Sequence, residues 1–396
     1  MVTIAQFKPV SKELSFALKT IFKDNVQATK AIMISLKNNK NWADDQRGFF
    51  SETVYDITRY WRLLWVLSDK EPSFNEKDMW EIYNLYFLYK SKQCSKNIEL
   101  KKRFSDAEKI RAIRESVPDW LDELGVRELG EKWNPVVRVL NEKPDTIIRV
   151  NTLKKTRDEL VQILKKDGIQ TEKIDNVPDA LLIKNKINVF KLKSFKESYF
   201  EIQDTASQMV SRFLELEPGM LVVDACAGEG GKTLHLAALM KNQGRIIAMD
   251  TQKWKLEILR KRANKTGAYN IETKHIDSSK IYKRLRGKAD RLLLDVPCSG
   301  LGTLRRNPDI KWKLTSPDLE RLYKLQTELL HRYCGLLKKG GRMVYSTCSI
   351  LPSEGEDQIK KFVEKQNINF KLVDEKRFWP DEDKTDGFYM ALIERN

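Results

Sequence analysis

The sequence predicts an α/β fold: a Rossmann-like domain with a doubly wound, mostly parallel sheet, preceded by a small α+β domain and an N-terminal helical domain. Two observations carry this. Glycine is unevenly spread, with four residues (Gly48, Gly125, Gly130 and Gly168) before position 219 and fourteen from there on. Within that second part, five short strand-like stretches (221–224, 245–250, 271–275, 291–295 and 342–346) alternate with segments of helical period. This is the pattern of parallel strands joined by crossover helices.

The elements follow in order. Residues 1–115 repeat apolar side chains at helical spacing, as in Leu14, Ala17, Leu18, Ile21 and Phe22 and again in Val54, Ile57, Trp61, Leu64 and Trp65, which reads as a helical bundle. The aromatic run from Trp80 to Tyr89 and Cys94 are expected in its core. Residues 116–205 change texture. A β-rich 146–151, a helix over 157–166 stopped by Gly168, and strands near Leu181 and Tyr199 make a small α+β domain. Residues 206–396 form the Rossmann-like domain. Its last crossover helix is expected to begin with Ser316 as N-cap and Pro317 in the first turn, to carry Leu319, Leu322, Leu325, Leu329 and Leu336, and to stop at Gly340.

Charge narrows the partners. The 396 residues hold 72 Lys plus Arg against 56 Asp plus Glu, a net +16, which favours a polyanionic partner such as nucleic acid or an anionic membrane surface. The excess is local: residues 206–350 carry 27 basic and 14 acidic side chains, whereas 351–396 carry 8 and 11. The N-terminal segment lacks the apolar core of a signal peptide and nowhere are there about 18 consecutive apolar residues. A cytoplasmic protein with no membrane partner is expected, and a monomer. The five cysteines (94, 226, 298, 334 and 348) contain no C-x-x-C pair, so neither a disulfide framework nor a metal site is expected. Cys226 and Cys334 read as packing residues.

The stretch Val222–Met240 reads as strand, glycine loop and helix, which brings backbone close to a ligand at a helix N-terminus. A phosphate-cradling loop fails at its first glycine, because Cys226 stands there, and a dinucleotide fingerprint lacks its third glycine, replaced by Thr233. What remains is the loop that methyltransferases set against S-adenosyl-L-methionine, here Cys226, Ala227, Gly228, Glu229, Gly230, Gly231 and Lys232. Asp250 ends the next strand 22 residues after Gly228, where a carboxylate can accept both ribose hydroxyls. Asp277, just past the third strand, is expected to meet the adenine amino group.

Two further strands end in Asp295-Val-Pro-Cys298-Ser-Gly and in Tyr345-Ser-Thr-Cys348-Ser, so both thiols should face the ligand side of the sheet. A thiol pair suits one chemistry. Carbon 5 of cytosine is too weak a nucleophile to take a methyl group until a thiolate adds to carbon 6. Asp295 is expected either as the acid that neutralises the ring at nitrogen 3 or as a hydrogen-bond partner of the exocyclic amine. A base must then remove the carbon 5 proton.

These residues resemble the Nop/Sun (Fmu-type) family of RNA cytosine-5 methyltransferases, which includes a bacterial 16S ribosomal RNA enzyme. The likeness rests on DACAGEGGKT (224–233), DVPCSGLGTLRRNPDIKW (295–312), LKKGGRMVYSTCS (337–349) and TDGFYMALIER (385–395), with Gln203-Asp204 and Ser207-Gln208 also similar. It implies a class I methyltransferase domain, an RNA-recognition-like domain over 116–205 and a NusB-like helical start. It further implies Cys348 as the nucleophile, Cys298 as the residue assisting product release, and ribosomal RNA as substrate. Transfer RNA, or a non-catalytic role in ribosome assembly, are the alternatives. Where the family has Pro-Gly-Gly-Lys this chain has Glu229-Gly-Gly-Lys232, and Glu229 is expected to face solvent. Lys232 is expected at the base or the methionine end of the site, and as a cation favouring the attacking thiolate. Arg305 and Arg306, directly after the Pro-Cys loop, are expected to hold phosphates beside a flipped base.

Overall fold

The computed structural model describes residues 10–91, 97–185, 187–277, 280–365 and 369–396. Cys94 lies outside them. The chain divides into two compact units: one takes the described residues up to Lys143 together with Thr303–Ser316, the other Pro144–Gly302 with Pro317–Asn396. The sequence boundary at 115/116 thus falls inside the first unit, and the segment after the Pro-Cys loop belongs to it.

The first unit is helical. Ser11–Phe22, Ala28–Asn38, Asp44–Arg59, Trp61–Ser68 and Glu76–Ser91 bury one apolar face each, and Leu14, Leu18, Phe50, Val54, Ile57 and Leu64 are fully enclosed. Phe22 stacks on Trp61 at 3.9 Å between ring centroids. The segment 303–316 is built into this core. Asp309 Oδ2 accepts from the Ala28 N–H at the start of a helix (3.1 Å), where a carboxylate is favoured by the helix dipole. Trp312 Nε1 donates to the Thr58 carbonyl (2.6 Å) and Lys311 Nζ to Asn141 Oδ1 (3.0 Å).

The second unit holds two sheets. Strands β1 (Thr146–Val150), β2 (Thr171–Lys173), β3 (Ala180–Ile183) and β4 (Phe200–Ile202) form an antiparallel sheet in the order β2-β3-β1-β4. The helix Arg157–Lys166 crosses from β1 to β2. It starts in a capping box in which Thr156 and Glu159 satisfy each other's backbone N–H groups, and it ends before Gly168 at φ +74°.

The larger sheet is β10-β11-β9-β8-β5-β6-β7, from β5 (Leu221–Asp224), β6 (Arg245–Asp250), β7 (Ile271–His275), β8 (Ala289–Asp295), β9 (Leu337–Thr347), β10 (Phe370–Phe378) and β11 (Phe388–Arg395). Strands β5 to β9 pair in parallel, and β11 and β10 add antiparallel strands at one side. The strand order reverses between β5 and β8. Ligands of such sheets bind at the carboxyl ends of the strands at that reversal.

The helix beginning at Ser316 differs from expectation at its far end. It stops at Tyr333, and Leu336 falls in a 3-10 turn. Gly340 lies within β9 at φ +72°. The pairing of β8 with β9 jumps from Ala289↔Leu337 to Arg291↔Arg342, so the glycine serves a bulge, which needs a left-handed residue as much as a helix end does.

Candidate active site

The loop after β5 is shaped by its glycines. Gly230 sits at φ +88°, and a Cβ there would lie 2.0 Å from Leu259 Cδ1, so only glycine lets the backbone turn into the helix Gly231–Leu239. At the end of β6, Asp250 Oδ2 accepts from the Gly228 N–H (2.9 Å) and Oδ1 from the Gln252 N–H (2.7 Å). This carboxylate stands against the loop with lone pairs to spare. Arg149 of β1 donates to the Gly231 carbonyl (2.8 Å), and Arg262 donates to that of Glu229 (2.8 Å). The loop is therefore braced from two sides.

A cavity of about 240 Å³ opens here, lined by Gln203, Asp224, Cys226, Gly228, Lys232 and Asp295 among others. Asp224 is 1% exposed; its Oδ2 accepts from Thr233 Oγ1 (2.7 Å), while Oδ1 makes no hydrogen bond among the described residues. Burial above all, with the charge of Asp295 adding to it, pushes its carboxyl up to about 7. An orphaned buried oxygen beside a glycine cradle fits a cationic amino group, as in the α-ammonium of S-adenosylmethionine. Glu229 is exposed, Ala227 and Gly230 are buried, and Asp277 is exposed beyond β7.

In the same cavity, Lys232 Nζ and Asp295 Oδ2 form an ion pair at 2.6 Å, and Ser346 Oγ donates to Asp295 Oδ1 (2.9 Å). The Lys232 ammonium also lies 5.1 Å from the centre of the Phe388 ring. Cys298 and Cys348, after adjacent strands β8 and β9, bring their sulfurs to 3.2 Å. Contact with the Cys348 sulfur, together with loss of solvent, drives the Cys298 thiol well above its ordinary pKa, so it keeps its proton at neutral pH.

Beneath the thiols lies a network that sequence reasoning missed. Glu354 is completely buried and accepts from the Ser299 N–H (2.8 Å), from Ser299 Oγ and from Gln326 Nε2 (2.9 Å). Gln326 also donates to the Pro297 carbonyl (3.0 Å), and Ser299 Oγ bonds Ser349 Oγ (3.2 Å). One carboxyl thus ties both cysteine loops together. Its one sequence signal is its place six residues after Cys348, where an acid before a helix ordinarily reads as a dipole partner. Arg377 adds a brace from β10 by donating to the Ser349 carbonyl (3.0 Å).

Arg305 departs from expectation. It is 6% exposed and donates to the Lys143 carbonyl (3.0 Å), while its own carbonyl accepts from Arg59 (2.8 Å). The guanidinium reaches the helical unit through the Lys143 bond, its Nε making no hydrogen bond among the described residues, because the chain leaves the sheet unit directly after the Pro-Cys loop. Arg306 is half-buried in the same unit. Cys334 is buried, and Cys226 is half-buried and lines the cavity.

A family model described as the 16S rRNA methyltransferase RsmB/F matches residues 211–394, and a second, the RsmF/B-like ferredoxin-like domain, matches residues 117–190. Over these stretches the chain matches the RsmB/F family. The probable ribosomal RNA small subunit methyltransferase B of Synechocystis sp. is 37% identical over 267 residues, 66% of this chain and 60% of that protein. The Bacillus subtilis protein of the same description is 35% identical over 250 residues, 63% of this chain and 55% of its own length. The chain therefore spans a little over half the length of these RsmB/F relatives. Among solved structures, PH0851 matches with a TM-score of 0.79 at 27% identity, covering 97% of this chain and 98% of its own. A methyltransferase homologue from Pyrococcus horikoshii matches at 0.64 and 28% identity, covering 72% and 98%. The strand order β2-β3-β1-β4 is that of a ferredoxin-like sheet, in agreement with the second RsmB/F model.

Proposed function

We propose that the chain is an S-adenosylmethionine-dependent RNA cytosine-5 methyltransferase that acts on ribosomal RNA through a covalent bond between Cys348 and the target base. The observation that supports this most is the pair of thiols in contact at the carboxyl ends of adjacent strands, beside an ion pair and a glycine loop. A lone thiol serves many reactions; a touching pair suits one in which a thiol adds and must later depart. The names of the RsmB/F relatives support ribosomal RNA as substrate.

S-adenosylmethionine, when bound, supplies an electrophilic methyl group. Gly228, Gly230 and Asp250 would hold its ribose side, Asp224 its ammonium and Asp277 its adenine. Toward the base, Cys348 gives up its proton and its Sγ adds to carbon 6. The carbon 5–carbon 6 π bond breaks, nitrogen 3 takes up a proton that it returns when the sulfur leaves, and carbon 5 of the resulting enamine is nucleophilic. Asp295, held as an acceptor by Lys232 and Ser346, takes a hydrogen bond from the exocyclic amine. After transfer a base removes the carbon 5 proton, the ring double bond re-forms and the sulfur leaves. Cys298, which keeps its proton, can share it with the departing sulfur. A stacked base cannot reach these thiols, so the target is flipped or single-stranded. All these residues lie in one compact unit, so the reading needs no second copy. No helix among the described residues is long and apolar enough to cross a membrane.

Tritium release tests the proposal. Substrate RNA carrying tritium on carbon 5 of cytosine should lose it to water in step with methyl transfer. Methylation without tritium release would place the methyl group elsewhere and end the proposal.

Two expectations concern the cofactor side. Only ionised Asp224 attracts an ammonium group, and its ionised fraction grows as pH rises through about 7. Affinity for S-adenosylmethionine should therefore rise across that range, with proton release on binding below it, and Asp224→Asn should flatten the profile; calorimetry in buffers of different ionisation enthalpy reads both. Asp250→Ala should weaken binding by about 1.5 to 3 kcal/mol, the range for a lost charge-assisted hydrogen bond, measured in the same instrument.

A further inference from the structure

The helix Lys253–Thr266 buries Leu256, Leu259 and Ala263 against the sheet. It turns outward residues 253, 254, 257, 260, 261, 264 and 265, all exposed. That outer face carries Lys253, Arg260, Lys261 and Lys265 against a single carboxylate, Glu257. Arg260 is engaged with Thr273, whereas Lys253, Lys261 and Lys265 have no ion-pair partner among the described residues. At the two ends of the row stand two exposed rings, Trp254 at 52% and Tyr269 at 79%. Either ring alone would be ordinary on a surface; what sets this face apart is that the two flank a row of lysines without an ion-pair partner among the described residues.

We infer that this face is a second RNA-contacting surface, in which the lysines follow the phosphates of a single strand and Trp254 and Tyr269 stack on its bases. It rests on the RNA reading above. From 253 to 265 the helix rises about 18 Å at 1.5 Å per residue, a length that spans several nucleotides, and cations interleaved with aromatic faces are what sequence-tolerant single-strand binding uses. The position fits as well. At its far end Lys154 Nζ and Asn151 Nδ2 of the ferredoxin-like domain donate to the carbonyls of Lys265 (2.7 Å) and Thr266 (2.8 Å). At its near end the helix follows Asp250, which holds the glycine loop. The row therefore joins the small domain to the reaction site. A lipid surface would want the apolar face outward, and here that face is in the core.

Binding of a fluorescein-labelled single-stranded oligoribonucleotide, followed by anisotropy at graded salt, tests this. Lys261→Gln with Lys265→Gln should weaken binding about tenfold at low salt and make the log–log salt slope about 1.4 less steep, at about 0.7 for each single-strand phosphate no longer neutralised. Trp254→Ala should also weaken binding about tenfold, with the slope unchanged. Affinity for S-adenosylmethionine should stay at the wild-type value in all variants, which checks folding. Variants that bind the oligoribonucleotide like wild type would overturn the surface and leave the proposed function standing. Wild-type protein that binds no RNA would overturn both, and preference for phosphatidylserine vesicles over RNA would overturn the surface in favour of a membrane.

Discussion

Cys348→Ala should abolish methyl transfer, by on the order of a thousandfold or more, and should leave no protein–RNA adduct on a denaturing gel. Cys298→Ala should behave differently: the attacking thiol remains, release is impaired, and labelled substrate RNA should run as a slow band bonded to Cys348. The two sulfurs are only 3.2 Å apart, so distance does not assign their roles, and the gel does. A slow band for Cys348→Ala and none for Cys298→Ala would make the Pro-Cys thiol the nucleophile and reverse the assignment.

The second large effect is expected at Glu354. Removing its carboxyl in Glu354→Ala leaves the Ser299 N–H, and the one Gln326 Nε2 hydrogen not given to the Pro297 carbonyl, without an acceptor in a buried place, at about 1 to 3 kcal/mol for each unsatisfied group. Thermal unfolding should show that loss. At a temperature where the variant is folded, the rate of adduct formation should fall about a hundredfold, since misplacement of the reacting groups by roughly an ångström costs that much. Affinity for S-adenosylmethionine should not change, because Glu354 is no part of the glycine loop. Adduct formation at the wild-type rate in a destabilised Glu354→Ala would reduce the carboxyl to a packing role.

The parts of this fold legible in the sequence are those where local pattern and burial agree. Strands β5, β6 and β8 carry short apolar runs that end in Asp, and the strands lie at those runs because central parallel strands covered on both faces read as continuous apolar sequence; β7, Ile-Glu-Thr-Lys-His, is a half-buried edge strand without such a run. Strand β10 was not legible. Between its buried ends, Phe370 and Phe378, residues 371–376 are exposed, so it is an edge strand without the period of two that marks a half-buried one. Strand β11 is buried along 388–393 and could pass for a core helix of the same length. Within the site, Cys298, Cys348, Asp295, Lys232 and Asp250 could be picked out because each ends a strand or opens a helix next to glycine. Glu354, Gln326 and Arg149 could not, since each reaches the site through hydrogen bonds to loops distant in sequence. Arg305 lies beside the Pro-Cys motif in sequence, yet it is 6% exposed and bonded within the helical unit. Adjacency to the Pro-Cys motif suggested a phosphate contact, but adjacency says nothing about which compact unit the chain enters next.

The central claim is that this chain makes 5-methylcytosine in ribosomal RNA with Cys348 as the attacking group. Bisulfite sequencing of total RNA from cells with the gene, without it, and carrying Cys348→Ala in its place tests that most directly. The account predicts at least one small-subunit ribosomal RNA cytosine protected from conversion in the first cells and converted in the other two. Identical conversion in all three, or protection that survives Cys348→Ala, would contradict it.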